Sequence, residues 1–185
     1  MPTKTALLLI DVQVGLTSGA TPVYGAAGVL ARIAGLIAPA RAAGVPVVYV
    51  QDNDVGGVGS AEWQIDPAVA PGPGELTIQK AWADSFYETQ LHDALTARGV
   101  QRLVIAGMKS DVCVFMTSTR AVALGYDVAL AADAHSTTDD RTLTAPQATA
   151  YINDLLDGFG AQDGFGNGQH SITVVPAAEV AFAGR

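Results

Sequence analysis

The sequence predicts an α/β fold, a doubly wound and mostly parallel six-stranded sheet with helices on both faces, in the manner of a Rossmann-like three-layer sandwich. Three observations carry this. Apolar runs of five or six residues recur at 5–10, 45–50, 102–106, 127–131 and 171–175, with a weaker run at 76–79, each bounded by Gly, Pro, Asp or Asn. Near-continuous apolar runs of this length are those of strands buried on both faces. Segments of helical period lie between them, at 26–43, 89–98, 112–124 and 142–156. Several close on a glycine, Gly44, Gly99 or Gly125, where a left-handed cap is easiest without a Cβ. Such alternation gives a parallel sheet whose working groups gather at the carboxyl ends of the strands, near the topological switch point.

Taken in order, the first strand is the run Ala6-Leu7-Leu8-Leu9-Ile10. Pro39 falls inside the first helical segment and, lacking a backbone donor, should kink or divide it. Residues 53–74 are rich in Gly, Pro and Asp and read as a loop, as do residues 158–170, with five glycines and no apolar period. No repeat is visible and no linker separates two cores, so residues 1–185 are expected to form one domain, long enough for a full core.

Composition narrows the function classes. Hydrophobic residues make up 49% and charged residues 15%, far from a disordered profile. A formal charge of −8 with only ten Lys and Arg argues against nucleic acid or an anionic membrane as partner. One cysteine permits no intramolecular disulfide. The opening apolar run is too short for a signal core or a membrane span, and the expected location is cytoplasmic.

Three strand ends carry groups foreign to a core. Asp11 follows the first strand directly, where an Asx turn or helix cap is the alternative reading. Lys80 ends Leu76-Thr77-Ile78-Gln79, where a surface lysine is the alternative. Cys113 lies just past a strand and turn, 103–107, at the start of a helix that Ser110 would cap. In that first turn a thiol feels the positive end of the helix, which lowers its pKa, and unpaired N–H groups stand ready for an oxyanion. A small buried hydrophobe is the plainer fate of a lone Cys. All three groups sit at C-terminal strand ends, where a doubly wound sheet brings distant positions together.

Five motifs in order carry a resemblance: Leu7-Leu-Leu-Ile-Asp11-Val-Gln13; the run 41–50 leading through the second strand; Lys80 with Ser85-Phe86 and Thr89-Gln90-Leu91; Gly107-Met-Lys-Ser-Asp-Val-Cys113-Val114; and Ala132-Asp133-Ala134-His135-Ser136-Thr137. Over residues 5–157 the chain resembles the isochorismatase-like hydrolases, a family that includes nicotinamidases and carbamoylsarcosine, ureidoacrylate, maleamate and biuret hydrolases. The resemblance implies a catalytic triad of Asp11, Lys80 and Cys113, and a cis peptide at Met108–Lys109. It also implies an oxyanion hole from the Lys109 and Cys113 amides. Candidate pocket residues are Gln13, Trp82, Phe86 and His135.

The implied reaction is metal-independent cleavage of an amide or ureido C–N bond in a small molecule, through an acyl-thioenzyme. Related nicotinamidases hold a metal with an Asp and histidines after the second strand, whereas Gln51-Asp52-Asn53-Asp54 has no histidine; no metal and no other cofactor is expected. Relatives commonly form dimers or tetramers, so a homo-oligomer is expected. Two alternatives stand beside this reading: a vinyl ether hydrolase, which Cys113 disfavours, and a non-catalytic binding or redox-sensing protein. A dinucleotide binder is disfavoured because no Gly-x-Gly-x-x-Gly follows the first strand.

Overall fold

A computed structural model describes residues 4–161 and 168–182. Six strands, β1 Thr5–Ile10, β2 Val47–Asp52, β3 Leu76–Lys80, β4 Arg102–Met108, β5 Asp127–Ser136 and β6 Ile172–Val175, form one sheet in the order β3-β2-β1-β4-β5-β6. Every neighbouring pair is parallel. The chain reverses its winding between β1 and β4, and the crevice at their carboxyl ends is the switch point of a doubly wound sheet.

Burial follows strand position. All six residues of central β1 are buried, whereas edge strand β3 alternates, with Ile78 and Lys80 inward and Thr77 and Gln79 outward. That alternation is why β3 reads weakly as an apolar run. Odd positions Leu7, Leu9 and Tyr49 pack with Ile33, Leu36, Ile37 and Ala40 of α2 (Ala26–Ala42) on one face. Even positions Leu8, Ile10, Val48 and Val50 pack on the other. There they meet α3 (Leu91–Thr96), α4 (Phe115–Ala123) and α5 (Ala145–Leu156) through Leu91, Leu95, Ala121, Ile152 and Leu156. A short helix, α1 (Val14–Thr17), precedes α2, making five α-helices among the described residues.

Four local readings change on contact with the structure. Pro39 does not divide α2, because it sits in the last turn, where one missing donor ends little of the ladder. The segment after β4 does not begin as an α-helix: Ser110–Val114 is a π-helical turn that leads into α4. Strand β5 continues to Ser136, past the expected end at 131, through a register shift against β4 that lies between Ile105 and Gly107. The 53–74 loop is also more ordered than its composition suggests. It holds a 3-10 turn, Pro67–Val69, capped by Asp66, and Thr17 Oγ1 donates to Asp66 Oδ2 at 2.7 Å.

Gly44, Gly99 and Gly125 all take positive φ, as the sequence requires of left-handed caps. Gly107 is held more strictly: its φ is +128° and a Cβ there would lie 2.0 Å from the Ile10 carbonyl oxygen. Close approach of β4 to β1 at the crevice therefore depends on the absence of a side chain. Part of the 158–170 loop lies outside the described residues. No helix among the described residues is long and apolar enough to cross a membrane.

Candidate active site

The carboxyl ends of β1, β2, β3 and β4 deliver four polar groups to one place. Asp11 follows β1 with φ of 52°, a left-handed conformation that Asp tolerates better than most residues, and its amide donates to Val50 O at 3.0 Å. Lys80 closes β3 on the inward parity of its strand. Cys113 sits in the π-helical turn after β4, and Asp52 closes β2 in register with Lys80. The Lys80 ammonium lies 2.9 Å from Asp11 Oδ2 and 3.4 Å from Cys113 Sγ, and it donates a short bond to Asp52 Oδ2. Asp11 and Lys80 are almost wholly buried.

Burial sets the charge states. Asp11 is pushed up to about 6, chiefly by desolvation, with the Lys80 cation opposing. Burial pushes the Cys113 thiol up to about 12, and the Asp11 carboxylate adds to the rise while Lys80 counters it. Desolvation alone would lower Lys80, but Asp11, Cys113 and Asp52 outweigh it and hold the ammonium protonated. The resting site near neutral pH is a carboxylate, an ammonium and a neutral thiol. The thiolate expected from a helix start is not the resting species, because a single buried π-turn offers too little positive potential to offset desolvation.

The turn itself is pinned from both ends. The Met108–Lys109 peptide is cis. Amides of Val112 and Val114 both donate to the Lys109 carbonyl, at 3.2 and 3.1 Å. The Lys109 ammonium donates to Thr138 Oγ1 at 3.2 Å. Ser110 does not cap the turn with its side chain; its hydroxyl goes instead to His135 Nδ1 at 2.8 Å. Asn153 Nδ2 donates to Ala132 O at 2.9 Å, so Asn153 Oδ1 is the acceptor for His135 Nε2–H at 2.8 Å. That fixes the tautomer: His135 Nδ1 accepts from Ser110, and Thr149 in turn donates to Ser110 Oγ at 3.2 Å. Burial lowers the His135 pKa and keeps the ring neutral. Behind the turn, Thr117 Oγ1 accepts from the Ser85 amide at 3.1 Å and donates to Ser85 Oγ at 2.9 Å, latching α4 to the segment after Lys80.

The four expected pocket residues separate. Phe86 is a core residue, 8% exposed, in one cluster with Leu91 and Leu95 and stacked on Tyr126 with ring centroids 5.9 Å apart. Gln13 has spent its amide on backbone: Nε2 donates to Asp52 O and Trp63 O at 3.0 and 2.9 Å, and Oε1 accepts from Asp52 N at 2.8 Å. It ties the 53–74 loop to the end of β2 and offers nothing to a ligand. His135 has both ring nitrogens committed within the relay. Trp82 alone of the four stands open, 58% exposed and edge-on to Tyr87 at 5.3 Å.

Asp52 is the residue that sequence reasoning missed. It stands two residues past the apolar run 45–50 and so gives a weaker strand-end signal than Asp11; the β2–β3 register places it beside Lys80. Asp11, Asp52 and Cys113 offer donor atoms within 4.8 Å of one another, a spacing that suits a metal ion. The Lys80 ammonium touches all three, so the place of a cation in that set is taken by the chain's own.

Comparison with known proteins places these features in context. The family model for the Isochorismatase domain matches residues 5–155. Two streptothricin hydrolases of Streptomyces noursei are 37% and 36% identical, each over 96% of this chain, which spans 64% and 71% of their length. A ureidoacrylate amidohydrolase RutB of Methylobacterium radiotolerans is 31% identical over 63% of this chain and 60% of its own. Among solved structures, an isochorismatase family protein matches at TM-score 0.83 with 31% identity, covering 95% of this chain and 99% of that one. An isochorismatase from Pseudomonas putida KT2440 matches at 0.84 with 27% identity, covering 96% and 90%.

Proposed function

The chain belongs to the isochorismatase domain family, and on that premise we propose that it is a metal-independent cysteine hydrolase of amide or ureido C–N bonds in a small molecule. One observation carries the reading: a single buried ammonium, Lys80 Nζ, lies within hydrogen-bonding reach of both the buried Asp11 carboxylate and the only thiol in the chain. The names of the relatives, streptothricin hydrolase and ureidoacrylate amidohydrolase, support hydrolysis as the reaction class.

In this mechanism Asp11 takes the Sγ proton as the sulfur attacks the carbonyl carbon. The transfer is uphill at rest, since Asp11 titrates far below the thiol, so it proceeds only as the C–S bond forms. The Lys109 and Cys113 amides receive the developing oxyanion. Protonated Asp11 then gives its proton to the departing nitrogen, the C–N bond breaks, and ammonia or an amine leaves. Water attacks the acyl-thioenzyme with Asp11 again as base, releasing the acid and restoring the thiol. Lys80 stabilises the two anions in turn and needs no proton transfer of its own.

The test is product release from a panel of primary amides and ureido compounds that includes ureidoacrylate, with streptothricin loss followed by mass spectrometry. Turnover lost in Cys113→Ala and indifferent to chelator is the expected result. Turnover that survives Cys113→Ala, or that a chelator abolishes, overturns the reading.

A further inference from the structure

Lys80 stands on the edge strand, whereas its partner Asp11 follows β1, two strands away across β2. Neighbouring strands lie about 4.8 Å apart, so the ammonium must cross the end of β2 to reach the switch-point crevice. Asp52 is the residue at that end, paired in register with Lys80. Its orientation is fixed on three sides: Gln13 Oε1 accepts from its amide at 2.8 Å, Gln13 Nε2 donates to its carbonyl at 3.0 Å, and Oδ1 accepts from Asp54 N at 2.9 Å. Only Oδ2 remains, and it meets the ammonium. An ammonium has three protons, and Lys80 places them on three acceptors from three different strand ends: Asp52 Oδ2, Asp11 Oδ2 and Cys113 Sγ.

We propose that Asp52 is a positioning residue of this site, which carries the Lys80 ammonium across β2 and shares its charge, holding the cation between Asp11 and Cys113 where the thiol proton is to move. The inference rests on the cysteine-hydrolase reading above and deepens it. A carboxylate paired with a lysine alone has its pKa driven down, because the cation favours the anion. Here the cation is divided between two carboxylates, and the second adds its own negative charge. The ionisable groups around Asp11 are Lys80 from β3, Asp52 from β2 and Cys113 from the turn after β4; burial raises Asp11 most, Lys80 opposes, and Asp52 adds to the rise. Gln13 belongs to the same device at one remove, since it sets the backbone from which Asp52 reaches.

Asp52→Asn keeps the size of the side chain and removes the charge. Two pH profiles test it: kcat/KM for a substrate found in the panel above, and the second-order rate of Cys113 alkylation by iodoacetamide, which needs no substrate. Removal of the anion should move the acid limb of both profiles down by about one pH unit, because Asp11 becomes a weaker base. The plateau should fall by roughly tenfold, with the loss in kcat rather than KM. Asp52→Glu, which restores the charge, should return the limb toward the wild-type position.

A merely structural Asp52 would lower activity or folded fraction while the limb stays in place, and an unmoved limb in both profiles overturns the proposal. The two claims fail separately. If no amide or ureido compound is turned over yet the alkylation limb shifts in Asp52→Asn and returns in Asp52→Glu, the hydrolase reading fails and the positioning role stands. If turnover depends on Cys113 and neither limb shifts, the reverse holds.

Discussion

Two clusters of buried polar side chains meet the π-helical turn, one at Cys113 and the other at Ser110. The first, Asp11, Lys80, Asp52 and Cys113, is made of ionisable groups, and its Asp11 Oδ1 is buried without a hydrogen-bond partner. In the second, Thr149, Ser110, His135 and Asn153, every bond runs donor to acceptor in one direction and ends on the Ala132 carbonyl. Burying an ionised or unpaired group costs free energy that a closed neutral relay avoids. A fold retains the costly arrangement where a proton has to move and the satisfied one where a backbone has to stay still. On the proposed reading the first cluster carries the chemistry and the second supports the turn.

Removing the cation breaks the comparison most severely. Lys80→Met leaves the buried Asp11 carboxylate beside the half-buried Asp52 carboxylate with no cation between them, with an expected loss of about 3–5 kcal/mol in stability at pH 8 and roughly a thousandfold in kcat/KM. Without Lys80 the Asp11 pKa rises further, so the stability deficit should shrink as pH falls and Asp11 is protonated. Urea melts at pH 8 and pH 5 check both the size and the sign.

Asp11→Asn sharpens the contrast by separating stability from activity. In the fold Asp11 titrates near 6, against 3.8 when unperturbed. The native state therefore holds its proton more tightly than the unfolded chain, and stability is lost as pH rises from below the unfolded value through the folded one. Asparagine removes that dependence. Relative to wild type the variant should gain on the order of 2 kcal/mol at pH 8 compared with pH 4, while turnover disappears.

His135→Ala probes the neutral relay. Loss of the ring leaves the Ser110 hydroxyl without its acceptor and Asn153 Oδ1 without its donor, at an expected cost of about 2 kcal/mol, and it should lower kcat through a less fixed turn. The acid limb of kcat/KM should stay where it is, since the relay carries no proton to Asp11. Smallest of all is Trp82→Ala: with 58% of the residue exposed, folding should change by less than about 0.5 kcal/mol, and any kinetic effect should fall on KM.

How much of this was legible in the sequence depends on how far each signal reaches. Asp11 and Lys80 were visible because each closes a strand-like run at its carboxyl end, and Cys113 because it falls at the helix start after the run 103–107, patterns local to a few residues. The parallel order and the glycine caps followed from the same short-range periodicities. Asp52 gives only a weak strand-end signal, and its meaning comes from the β2–β3 register rather than from its neighbours in the chain. The contacts of Gln13 and Phe86 were not legible for a similar reason: nothing near Gln13 announces Trp63 O or Asp52, and nothing near Phe86 announces Tyr126. The raised thiol pKa escaped notice because burial, which dominates it, is a property of the packed fold, whereas the helix start that suggested the opposite is a property of the sequence.

The most direct test of the central claim is the mass of the protein quenched in acid during turnover of a substrate from the panel. The mechanism predicts a fraction of the chain heavier by the acyl group, mapped by peptide analysis to Cys113 and absent from Cys113→Ala. Steady turnover with unmodified Cys113 throughout, and with activity retained in Cys113→Ala, would contradict it.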